Sequence, residues 1–158
     1  MDWFALARIL HIVAVVIWVG GVALVTTTVL PAVRAGEVGG DWLAAFRTIE
    51  RRFIEQARAA VIIVGVTGFY MVVQADLWDR FAAAEFWWMH AMIFVWLVFA
   101  LELFVAEPFI LHRVFEKWAA NRPDRAFAWL QAAHWFLLAL SLLAIAGAVA
   151  GSHGWAVF

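Results

Sequence analysis

The chain contains no cysteine. That excludes disulfides, thiolate metal sites, iron–sulfur clusters and the Cys-x-x-Cys-His attachment of c-type haem. It leaves the redox compartment open. Charge is scarce: Asp, Glu, Lys and Arg make up only 15% of the 158 residues. Neither sign is in excess, the net charge being -1, so bulk charge points to no nucleic acid and no acidic partner. There is no Met-rich motif, no low-complexity tract and no obvious repeat. A basic n-region is missing too. The first apolar run is longer than a signal peptide's, so it is expected to be a retained span.

What is present in quantity is apolar: 67% of residues are hydrophobic, in long runs. Such runs belong to a membrane protein. The expected fold is all-α, a four-transmembrane-helix bundle in a single domain over 1–158, with a short amphipathic cytoplasmic helix before span two. Span one is expected over about 3–30, long enough to cross ~30 Å of hydrocarbon. Pro31 and Gly36 end it. Asp41 can cap the next stretch, where Trp42, Leu43, Phe46, Ile49, Phe53 and Ile54 recur at helical spacing. Arg47, Glu50, Arg51 and Arg52 take the other face, so this reads as an interfacial helix or as the extension of span two. Span two is expected over 54–73 and span three over 85–107, with a helical pattern continuing to about 118. Residues 121–124 read as a turn, and span four as 127–151. Gly65 and Gly68 in span two allow close backbone approach, and Ala144, Gly147, Ala148 and Gly151 form a small-residue face.

Basic residues set the expected orientation. Arg34, Arg47, Arg51, Arg52, Arg58, Arg113, Lys117, Arg122 and Arg125 flank one side, against Arg8 and Arg80 on the other. Nine against two places the former in the cytoplasm. Both termini then lie outside, in what reads as a bacterial inner (cytoplasmic) membrane.

An ionisable ring in hydrocarbon needs a partner and is a functional-site hypothesis by default. His11 lies near the outer end of span one, and His90 near the outer end of span three. At about 1.5 Å per residue both sit roughly 5–12 Å below that edge. Two imidazoles at one depth on different helices suit the axial ligation of a haem b. On this reading His11 and His90 bind the iron, with Trp18, Trp87 and Trp88 walling the macrocycle. Gly20 and Gly21 admit a helix or a porphyrin edge. Arg8, one turn from His11, pairs with a propionate. The alternative is a pair of interfacial histidines bonded to backbone carbonyls. His112 and His134 also share a depth, at the inner side, and are compatible with a second haem; the alternative is that His112 is solvated at the interface. His153 reads as a tail residue.

Glu102 is the carboxylate deepest in an apolar run, and an ion pair with Arg58 is expected to lower its cost; a proton path through Glu102 is the other reading. Met71, Met89 and Met92 lie in the outer half with His11 and His90. They read as packing residues, with copper(I) binding as the alternative.

His11 followed by Trp18-Val19-Gly20-Gly21 resembles the first-helix signature of the copper-resistance protein D (CopD)-like membrane proteins. Trp88-Met89-His90 resembles the matching helix of the related HemJ-type protoporphyrinogen oxidases. The resemblance covers spans one and three and implies a four-helix haem-b membrane protein with His11 as an axial ligand. Met92 stands where the HemJ-type proteins have lysine, and their Tyr-Leu-Pro-Arg run is here Leu30-Pro31-Ala32-Val33-Arg34. The expected function is a b-type cytochrome-like electron carrier, free or as a subunit of a redox complex. The alternatives are a haem-linked oxidoreductase acting on a porphyrin or quinol, a copper-handling membrane protein, and a cofactor-free structural subunit. The expected partners are the lipid bilayer, a redox partner protein and a second copy of the chain.

Overall fold

A computed structural model describes residues 2–37, 42–111, 118 and 120–155. Among them there is no strand. Helix α1 spans Trp3–Leu24 and starts on an Asp2 cap, whose side chain accepts from the Phe4 and Ala5 amides at 3.0 and 3.1 Å. A π-helical turn, Val25–Val29, joins it to the short α2, Leu30–Arg34. Pro31 has no N–H to donate, and the wider turn carries the chain past it, so the rod runs on to Arg34 and does not stop at residue 30. Gly36, at φ 75°, then closes the helix: the Glu37 amide bonds the Ala32 carbonyl and the Gly36 amide that of Val33.

Helix α3 runs without a break over Trp42–Gln74. The expected amphipathic stretch is therefore not a separate helix but the first turns of α3. No proline lies between residues 42 and 74, and the glycines at 65 and 68 are isolated, so continuing the helix costs less than a turn. Its end repeats the α2 closure with Asp76 in the left-handed region at φ 48°. Two 3₁₀ turns, Trp78–Ala82 and Ala84–Phe86, lead into α4, Trp87–Leu101, which continues as a π-helical stretch over Glu102–Leu111. Helix α5 covers Pro123–Ser152. Residues 123 and 124 are thus its first turn and not a loop, because proline's fixed φ suits the first helical position.

Four of these helical segments are long and apolar enough to cross a membrane: Trp3–Arg34, Arg47–Gln74, Ala84–Pro108 and Pro123–Ser152. They pack as an up-down bundle in the order α1, α3, α4, α5, with α5 returning to α1. Every span also exposes large apolar side chains, among them Val16, Val66, Phe94 and Phe136. Apolar surface on both sides of a helix is what lipid requires on the outside. The seams are built from smaller residues. Ala14, Ala57, Ala60, Val61, Val64 and Ala144 are all buried, and small residues are what bring membrane helices into contact. Gly147 and Gly151 of α5 form a notch for Trp87 and Trp88 of α4. The Trp96 indole donates to the Val61 carbonyl at 2.8 Å and ties α4 to α3.

At the end of the bundle away from the termini, Arg58 replaces a bond that Pro108 cannot make. In a π-helix the N–H of residue i reaches the carbonyl of i−5. Pro108 sits in the Glu102–Leu111 stretch without an N–H, which leaves the Leu103 carbonyl without its donor. Arg58 donates Nε and Nη2 to that carbonyl at 3.0 and 2.9 Å. The same Nη2 pairs with the Glu107 carboxylate at 2.6 Å. The partner of Arg58 is therefore Glu107 and not Glu102. Glu102 is half-buried one residue before Leu103, at the opening of the π-helical stretch. The widened turns carry the carboxylate of 107, not that of 102, round to the α3 side.

Candidate functional site

His11 lies on the stripe of α1 that enters the bundle. Ala7, Ala14 and Trp18 are buried on the same stripe, four, three and seven residues away. The imidazole reaches across to α3, where Nδ1 is 3.0 Å from Thr67 Oγ1. The ring also faces the Val64 carbonyl. It lies over Gly68, where a Cβ would stand 3.2 Å from Cε1. Gly68 therefore leaves room for the ring to come close to α3. The ring is half-buried, and no hydrogen bond to Nε2 exists among the described residues.

His90 is placed differently. Met89, Val95 and Phe99 are the buried residues of α4. At about 100° per residue, position 90 falls on the opposite side of the helix. His90 is exposed, with its ring edge-on to Phe81 at 5.6 Å between centroids. A ladder of rings continues from there through Trp78 to Phe69, at 6.2 Å each. The structure puts His11 in the α1–α3 seam and His90 outside it, and no described contact joins the two rings.

The residues expected to wall a macrocycle divide in the same way. Trp18 is 3% exposed and meets Phe99 edge-to-face at 4.7 Å. Its indole Nε1 is buried with no hydrogen-bond partner among the described residues. An unmet buried donor is costly, and nothing among the described residues offsets this one. Trp88 Nε1 is also buried without a partner among the described residues, packed on Gly151. Gly20 faces open space, and the space over Gly21 is filled by the Phe53 ring of α3. Arg8 is exposed, its guanidinium 5.0 Å from the centre of the Phe4 ring, one turn nearer the terminus than His11.

Of the second pair, His112 lies outside the described residues. His134 is half-buried in α5 and its Nδ1 donates to the Leu130 carbonyl at 2.9 Å. His153 is exposed at the end of α5, with Nδ1 bonded to the Val149 carbonyl at 2.8 Å. Met89 is buried in the core. No group of three or more His, Cys, Asp or Glu able to hold a metal ion occurs among the described residues. A haem iron takes only one or two protein ligands.

Sequence reasoning passed over Thr67. The signal was there. Thr67 is seven residues from the end of α3 at Gln74, and His11 eight from the start of α1 at Trp3, so in antiparallel helices they share a depth. Compared with protein-family models, with curated proteins and with solved structures, the chain matches none. The likeness to the CopD-like group rests on the short motifs of spans one and three.

Proposed function

We propose that this is an integral membrane haem-b protein that carries electrons, as a small cytochrome or as a subunit of a redox complex, with His11 as an axial ligand. The observation that carries this reading is the His11 imidazole in the α1–α3 seam, engaged through Nδ1 and, among the described residues, without a hydrogen bond at Nε2. A metal-ligating histidine is normally held in this way, with its other ring nitrogen fixed by a second group. The donor chemistry of the seam fits a haem through one ligand. Bound there, haem supplies one-electron chemistry. The chain's own residues do the rest. His11 would ligate the iron, Trp18 would offer its buried N–H, and the exposed Arg8, one turn nearer the bundle's end, would pair with a propionate. The apolar residues of the seam exclude water and so tune the potential. In this reading the basic end of the bundle is cytoplasmic, in a bacterial inner membrane.

The outward position of His90 favours a second reading. If His11 is the sole ligand from this chain, the iron keeps an open position and the protein is a haem-linked oxidoreductase acting on a porphyrin or quinol. His90 as the second ligand requires α4 to turn, or a second copy of the chain to supply it. The absorption spectrum and iron content of the purified protein test all of this. One low-spin haem b per chain, lost in both His11→Ala and His90→Ala, establishes the two-histidine electron carrier. A high-spin haem that binds carbon monoxide, indifferent to His90→Ala, establishes the oxidoreductase. Copper without haem, or no cofactor, overturns both, as does haem retained in His11→Ala.

A further inference from the structure

We infer that Thr67 is a positioning residue that holds the His11 imidazole as its Nδ1–H tautomer, leaving Nε2 as the nitrogen that meets a metal. The metal clause rests on the haem reading above; the tautomer does not. The argument is a count of protons. A threonine hydroxyl has one proton and two lone pairs. Thr67 Oγ1 lies 2.6 Å from the Ile63 carbonyl and 3.3 Å from that of Val64. Carbonyls only accept. The Thr67 proton is therefore spent within α3, on Ile63, at a distance typical of a strong O–H···O bond. What Thr67 turns towards α1 is a lone pair. His11 Nδ1 stands 3.0 Å from it and can satisfy it only by donating.

The opposite arrangement fails on the same distances. Were the hydroxyl to donate to Nδ1, two oxygens would face each other at 2.6 Å with no proton between them. Thr67 is 8% exposed, so water is not at hand to relieve that contact. Gly68 leaves room for the ring at this place, where a Cβ would stand 3.2 Å from Cε1. A neutral imidazole with a proton on Nδ1 has its lone pair on Nε2. A hydrogen bond accepted from Nδ1–H also makes Nε2 the stronger ligand.

The test is ¹⁵N NMR of histidine-labelled, metal-free protein in detergent micelles. The wild type is expected to show His11 with a protonated Nδ1 and a lone-pair Nε2. Thr67→Val keeps the shape and removes the acceptor, and is expected to lose the pure Nδ1–H signature. Thr67→Ser is expected to restore it. His134, whose Nδ1 donates to a carbonyl of its own helix, is the internal control and stays unchanged. A wild-type His11 protonated on Nε2 overturns the inference without any variant. So does an unaltered Nδ1–H signature in folded Thr67→Val. In the haem-loaded protein Thr67→Val is expected to bind haem about 10–100-fold more weakly and at a raised potential, with Thr67→Ser near wild type. If the wild type binds no haem, the haem reading falls and the NMR result stands by itself.

Discussion

Arg58 offers the sharpest test of how this bundle is held together. Replacing it by Met keeps the length of the side chain and removes both its charge and its three donated bonds. Two groups then lose their partner. The Leu103 carbonyl is left unmet beside Pro108, which costs about 1–3 kcal/mol for a buried acceptor. Polar contacts between membrane helices run lower, averaging about 0.6 kcal/mol and reaching about 1.7. The ion pair is partly open, with side-chain exposures of 33% for Arg58 and 27% for Glu107, so it adds no more than about 1 kcal/mol. The expected loss is about 2 kcal/mol, most of it from the carbonyl. That split is checkable. Glu107→Gln leaves Arg58 on the carbonyl and is expected to cost under about 1 kcal/mol. Pro108→Ala restores an N–H at the position that reaches Leu103 in the π register. In that background Arg58→Met is expected to cost only the ion-pair part, a coupling of about 1 kcal/mol between residues 58 and 108. The assay is reversible unfolding in mixed micelles, run as a double-mutant cycle. Strict additivity of Arg58→Met and Pro108→Ala would refute the idea that the arginine stands in for the missing amide.

Neighbouring glycines should behave oppositely. Gly20→Ala meets no atom within 4 Å and is expected to be neutral or slightly stabilising, by up to about 1 kcal/mol. Gly21→Ala drives a Cβ into the Phe53 ring and is expected to cost about 1–3 kcal/mol, partly recovered by Phe53→Leu. Equal effects in a thermal melt would mean that α1 and α3 are not in this register. Gly147→Ala places a Cβ 2.6 Å from the Trp87 ring, so α4 and α5 should separate more readily, with a lower melting temperature. Finally, reporter fusions should place the loop near Asn121 in the cytoplasm and residue 158 outside; the reverse pattern would move the His11 seam to the cytoplasmic half.

The four long apolar helices were legible from residue types alone. Length and apolarity make such a helix, whatever it packs against, but they do not say which side of it meets the others. Helix α4 shows this plainly. It is apolar all round, because lipid and protein both accept apolar side chains, so nothing in the sequence says which side of it His90 is on. Only packing decided that, by turning Met89, Val95 and Phe99 inward. The choice between Glu102 and Glu107 as the partner of Arg58 was equally closed to periodicity, since it rests on an α-to-π change of register that rotates every later side chain. Thr67 is the intermediate case. Its depth could be counted from the sequence, but its contact with His11 exists only because α1 and α3 lie antiparallel and side by side, with Gly68 leaving room for the ring.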